Sequence, residues 1–157
     1  MKEEMIEIRL RKGRIEELSA SERRGMEMAL AAAEKAYAPY SGFHVGAAAE
    51  LEDGTLVPGS NQENAAYPSG LCAERTALFT ASAQYPDVAV RALYVVAMKD
   101  GVVQDKISPC GGCRQVISEM EHRYGQPIRV WLCGRTEFCW VESADELLPL
   151  SFGSDDL

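Results

Sequence analysis

No stretch of this 157-residue chain approaches the roughly 20 consecutive apolar residues that a membrane-spanning helix needs. Its opening residues, MKEEMIEIRLRKGRIEEL, likewise lack the uninterrupted apolar core of a secretory leader. Basic residues are also short: 16 Lys and Arg stand against 24 Asp and Glu, giving a net charge of −8. That balance argues against a polynucleotide partner held by counterion release, and no basic groove with interleaved aromatics is visible. The one basic cluster, Arg9 to Arg14, is interrupted by apolar residues and reads as a solvated face. Histidine is nearly absent, with only His44 and His122. His44 alternates with Phe43 and Val45 and so points away from their face, and His122 is expected past the end of a helix; neither is a candidate for catalysis. Five cysteines are an odd number for a disulfide framework, which points to a reducing, cytoplasmic setting and to metal ligation.

The length suits a single domain. Residues 1–18 read as an N-terminal extension and 19–157 as the main domain, and no internal repeat or linker divides the latter. Ile6 to Arg11 alternate apolar and charged residues, which fits a short half-buried strand or an adaptable arm. A helix is predicted from Ser19 to about Tyr37, stopping before Pro39. Asp53-Gly54 is a hairpin signal between strands at Phe43–Leu51 and Thr55–Pro58. A second helix is predicted over Leu71–Gln84, a buried strand over Arg91–Met98, and a third helix over Cys110–Glu121. Strands at Ile128–Leu132 and Phe138–Val141 follow, then a short helix over Ser143–Leu148, with Ser143 as N-cap and Glu146 at the capping-box position. This order predicts an α/β fold, a three-layer αβα sandwich around a mixed sheet of about five strands.

Chemistry concentrates in Cys72-Ala73-Glu74 and Pro109-Cys110-Gly111-Gly112-Cys113. Three cysteines with a nearby carboxylate fit a catalytic zinc, which takes three protein ligands and keeps a fourth position open. Cys110 and Cys113 are three apart and share one helix face. Both motifs fall at predicted helix N-termini, where the macrodipole favours thiolate. Glu74 is awkward, because residues two apart on a regular helix diverge, so Cys72 is expected at an irregular first turn. Three thiolates around Zn²⁺ leave a net negative charge, and one or both of Arg75 and Arg114, each following a site residue, are expected to donate to the sulfurs and offset it. The alternative for the set is a structural zinc knuckle with Cys133 or Cys139 as fourth ligand. Each of those lies in a predicted apolar strand, where a buried thiol is the simpler reading.

The order of motifs carries a resemblance. Ala38-Pro39-Tyr40-Ser41-Gly42-Phe43-His44-Val45-Gly46-Ala47-Ala48, Asn61-Gln62-Glu63-Asn64-Ala65-Ala66-Tyr67, Cys72-Ala73-Glu74-Arg75-Thr76-Ala77 and Ser108-Pro109-Cys110-Gly111-Gly112-Cys113-Arg114-Gln115-Val116 resemble the small, homotetrameric, zinc-dependent cytidine deaminases over about residues 20 to 153. The resemblance implies hydrolysis of cytidine and 2′-deoxycytidine to the uridines with release of ammonia, a reaction of pyrimidine salvage. One zinc per subunit, held by Cys72, Cys110 and Cys113, would deliver hydroxide to C4, and Glu74 would shuttle the protons. Phe43 would stack on the pyrimidine, Asn61 and Glu63 would hold the ribose, and the Ala73 N–H would read the ring carbonyl. Ala65, Tyr67 and Phe152 match positions given to a neighbouring subunit's site, implying a homotetramer with shared sites. Ser60 stands where many members carry cysteine, and the N-terminus is longer by about 15 residues than in typical members. A carboxylate at 63 would repel a 5′-phosphate, so a free nucleoside is favoured. Within the same chemistry a blasticidin-type deaminase is the rival, disfavoured by the intact segment Asn61 to Tyr67. A silent zinc scaffold is disfavoured by Glu74, which such a site has no use for.

Overall fold

A computed structural model describes every residue except Lys106. Seven strands form one sheet in the order β1 (Arg11–Arg14), β7 (Glu137–Val141), β6 (Arg129–Cys133), β4 (Val90–Lys99), β2 (Phe43–Leu51), β3 (Leu56–Ser60), with the two-residue β5 (Val102–Val103) on the end of β4. The β4–β6 pair is parallel and all others are antiparallel, so the sheet is mixed as expected. Two strands exceed the expected five. β5 is too short to read from a pattern, and β1 lies on Arg11–Arg14 rather than on the apolar alternation just before it, because that is where β7 offers partners.

Helix α1 (Ala20–Ala33) covers one face, and α2 (Ala73–Gln84) and α3 (Gly111–Tyr124) cover the other. The period of two in the strands separates the two cores. Ala47, Ala49, Leu93 and Val95 pack beneath α2 and α3, while Ala48, Tyr94, Val96 and Trp131 face α1. Leu18, from the end of the expected extension, is buried on the α1 side. Among the described residues no helix is long and apolar enough to cross a membrane.

Local chemistry sets the helix limits. Ser19 caps α1 through a reciprocal box with Glu22, Ser19 N–H donating to Glu22 Oε2 at 2.7 Å. The helix ends at Ala33, four residues before the expected Tyr37. Tyr37 is drawn instead into a bridge with the segment after β3, its N–H donating to Asn61 O at 3.0 Å. α3 runs past the expected Glu121 to Tyr124, where Gly125 in the left-handed region caps it, so His122 lies within the helix. The last helix shrinks to a 3-10 turn over Ala144–Glu146. Ser143 caps it, but Glu146 accepts from Glu142 N and Arg9 N rather than closing a box.

Two glycines set how close the helices come. A Cβ at Gly46 would overlap Ala29 O and Ala33 N of α1, and one at Gly59 would overlap Ala77 N and Ala73 O of α2. Bare backbone at Gly59, facing Ala73 and Ala77, therefore seats the N-terminal turn of α2 directly on β3.

Candidate active site

The N-termini of α2 and α3 meet on one face of the sheet. Cys72 is the N-cap of α2 with extended backbone (φ −73°, ψ 153°), so it stands outside the helical spiral that carries Glu74. The two-residue spacing that looked awkward is thus resolved by the irregular position expected of Cys72. Cys110 is the N-cap of α3 in the same conformation (φ −66°, ψ 166°), and Cys113 follows one turn in, fully buried. Each cap carbonyl accepts the first helical bond, Thr76 N–H to Cys72 O and Arg114 N–H to Cys110 O, both at 3.0 Å. The Thr76 hydroxyl adds a second bond to Cys72 O at 3.1 Å.

The three sulfurs lie within 4.8 Å of one another, with Cys72 and Cys110 at 3.8 Å and Cys110 and Cys113 at 3.5 Å. Tetrahedral zinc with bonds of about 2.3 Å would separate its sulfur ligands by ~3.8 Å, so the donor set fits that ion. Cys133 does not approach: it is buried on the α1 face of the sheet, and no fourth Cys, His, Asp or Glu joins the three among the described residues. Cys139, on β7, is likewise outside the set. The knuckle alternative therefore has no fourth ligand, and all five thiols are free of disulfides.

Protonation within the cluster is uneven. The Cys72 thiol is pushed down to about 5 by a hydrogen bond from Cys113 and, further, by Arg75. The Cys113 thiol is pushed up by that same bond to Cys72 and by burial. Zinc binding would deprotonate such thiols outright. Arg75 donates from Nη2 to Cys72 Sγ at 3.6 Å, which sets a cation on that sulfur. Arg114 departs from that expectation. Its Nε donates to Pro109 O at 2.9 Å and its Nη1 to Leu147 O at 2.7 Å, so it fixes the turn before Cys110 and the C-terminal segment instead of touching sulfur. The reason is geometric: from the first turn of α3 the side chain reaches two uncapped carbonyls that need donors.

Glu74 is buried, 4% exposed, beside the cysteines, and burial pushes its carboxyl above the ordinary carboxylate range. Next to it the Ala73 N–H belongs to the unpaired first turn of α2. A cleft of about 290 Å³ reaches Cys72 and Arg75 and is lined also by Asn61, Glu63 and Tyr67; Phe43, Ala65, Ala73, Glu74, Cys110 and Cys113 are not in its lining. Asn61 bridges β2, accepting from Val45 N at 2.8 Å and donating to Phe43 O at 2.9 Å, which ties the half-buried Phe43 to this rim. Glu63 accepts from Tyr40 N and from both the backbone and hydroxyl of Ser41. The Ser41 hydroxyl, first among these, holds its carboxyl below the usual range. Ser41 also accepts from Phe43 N at 3.0 Å. It joins two expected substrate contacts, a role that its place two residues before Phe43, a Ser-turn signal, could have suggested. Ala65 and Tyr67 are exposed, Tyr67 at 80%. Phe152 does not line this cleft. It lies in a separate depression with Ser118 and His122, its carbonyl held by Gln115 at 2.8 Å.

Comparison with known proteins decides the family. Residues 19–124 match the family described as the cytidine and deoxycytidylate deaminase zinc-binding region. The chain belongs to that family. It is 44% identical over 126 residues to a cytidine deaminase of Sporosarcina psychrophila, covering 80% of this chain and 87% of the relative. It is 40% identical over 129 residues to that of Halalkalibacterium halodurans, covering 82% and 92%. Among solved structures, the cytidine deaminase of Burkholderia pseudomallei superposes with a TM-score of 0.66 at 40% identity, over 83% of this chain and 98% of that one. For this deaminase-family chain the αβα architecture read from the sequence holds.

Proposed function

We infer that this chain is a zinc-dependent cytidine deaminase, converting cytidine and 2′-deoxycytidine with water into the uridines and ammonia. One observation carries the reading: three sulfurs at the spacing of a tetrahedral ion, with a buried carboxylate, Glu74, beside them and not among the ligands. Cys72, Cys110 and Cys113 would hold the ion, which when bound supplies the Lewis acidity that makes water nucleophilic at neutral pH.

The chain's own residues do the rest. Glu74 accepts a proton from the attacking water and passes it to ring N3, then serves the departing ammonia; burial, which raises its affinity for a proton, suits both directions of transfer. Arg75 places positive charge on the Cys72 sulfur and so offsets the excess negative charge of a three-thiolate shell. The Ala73 N–H donates to the ring carbonyl, Phe43 stacks on the ring, and Asn61 and Glu63 receive the ribose hydroxyls. Glu63, ionised and already braced by Ser41, repels a 5′-phosphate. Arg114 braces the segment that carries Cys110.

Exposed Ala65, Tyr67 and Phe152 fit a homotetramer in which they complete neighbouring sites. Five cysteines free of disulfides, three of them the proposed metal ligands, fit a cytoplasmic enzyme of pyrimidine salvage. The test is the fall in absorbance as cytidine becomes uridine, followed with and without a zinc chelator. Turnover of cytidine and deoxycytidine but not of the 5′-monophosphate, abolished by the chelator and restored by zinc, is expected. No turnover by the zinc-loaded chain would reject the activity, and efficient use of the monophosphate would reject the role of Glu63.

A further inference from the structure

The residues ahead of β1 take no part in that chemistry and lie outside the family match. From Glu4 into the first two residues of β1, Arg11 and Lys12, the chain reads Glu-Met-Ile-Glu-Ile-Arg-Leu-Arg-Lys, with apolar chains at Ile6, Ile8 and Leu10. These three are 54%, 55% and 48% exposed. β1 ends the sheet order, so its outer edge has no strand beside it among the described residues. The arm keeps the alternation of β1. Arg11 stands opposite Trp140 and Lys12 opposite Cys139. Ile8, Leu10 and Lys12 accordingly line a groove of about 470 Å³ with Cys139, Leu132 and Leu147. Arg11 lies on the other face, its guanidinium 4.5 Å from the Trp140 ring centre. Glu146 accepts from Arg9 N at 3.1 Å and steadies the arm along this path.

An extended apolar stripe beside an open sheet edge is a template for one more strand. The segment is complementary to itself. Set antiparallel with Ile8 facing Ile8, it places Ile6 opposite Leu10, Glu7 opposite Arg9, Glu4 opposite Lys12 and Met5 opposite Arg11. Sliding by one residue sets apolar chains against charges, and sliding by two sets Glu7 on Glu7 or Arg9 on Arg9. We propose that residues 4–12 pair antiparallel with the same segment of a second copy of this chain, about a two-fold axis at Ile8. The pairing joins the two sheets through their β1 edges. It brings six apolar side chains onto one face next to both grooves, and the self-matching charges select a second copy over an unrelated strand.

Cysteine cross-linking in the zinc-loaded full chain tests this. Facing residues of an antiparallel pair lie about 4.5–5.5 Å apart between Cα atoms, within the span of a disulfide. Ile8→Cys should therefore oxidise to a covalent dimer on a non-reducing gel. Met5→Cys, more exposed (83% against 55%) but facing Arg11, should do so at least about tenfold more slowly, and the parent chain with its native cysteines should not. Adding Glu7→Arg to Ile8→Cys should suppress the dimer by setting Arg against Arg9, and adding Arg9→Glu as well should restore it. Equal cross-linking at positions 5 and 8, no cross-link at 8, or no recovery in the charge swap would overturn the proposal. None of these readouts depends on the deaminase assignment.

Discussion

The two helix N-termini that form the site share a plan, a cysteine N-cap in extended conformation, yet are supported in opposite ways. At α2 the cap sulfur carries a cation, Arg75, and the buried carboxylate lies one residue beyond Ala73. Bare backbone at Gly59 seats this turn on β3. At α3 the corresponding arginine spends its donors on the carbonyls of Pro109 and Leu147, and Gln115 holds Phe152 O. The difference teaches a division of labour. In the proposed function α2 would tune charge and move the proton, whereas α3 supplies two of the three sulfurs and anchors the C-terminal segment.

Substitutions at each end can break that contrast. The largest effect is expected at the buried ligand of α3: Cys113→Ser should lose its zinc, measured by metal analysis, and with it all deamination. Next, Gly59→Ala forces a Cβ into Ala73 O and Ala77 N. Overpacking of this kind costs about 1–3 kcal/mol, which thermal unfolding will read, and displacement of α2 should lower activity beyond the loss of folded protein. The sharpest comparison pairs the two arginines. Arg75→Gln should weaken zinc binding by about 10–100-fold in a competition titration, as loss of an outer-shell donor does. Arg114→Gln should leave zinc affinity unchanged and instead speed hydrogen exchange around residues 147–153; the same zinc loss in both would erase the distinction. Smallest is Ser41→Ala, expected to raise KM for cytidine a few-fold with little change in kcat, because Glu63 loses its brace while Glu74 is untouched.

The clustering of the three cysteines beside Glu74 is legible in the sequence because the pattern is local: spacing within two short motifs, each opening a helix. The irregular position of Cys72 followed from the same reasoning, since a ligand and an acid two residues apart cannot share a regular helical face. The partners of Arg75 and Arg114 were not separable there. Both follow a site residue directly, and only the three-dimensional path shows that Leu147, 33 residues from Arg114, presents an open carbonyl to one of them. Helix ends were missed where long-range pairing decides them, as at Tyr37 with its bridge to the segment after β3. The C-terminus of α3 is set by a different signal, the left-handed glycine cap at Gly125, which apolar periodicity does not reveal. Alternation over Ile6–Arg11 leaves a strand and an arm both open, because it marks a capacity to pair, while the length of β7 fixes that Arg11–Arg14 form the strand.

The central claim is that Glu74 moves protons at a zinc site it does not help to hold. Zinc content and cytidine turnover measured on one preparation of Glu74→Gln test it most directly. A full equivalent of zinc per chain with turnover reduced by at least about 10²–10⁴-fold is the predicted result. Retained turnover, or loss of the zinc along with the activity, would contradict it.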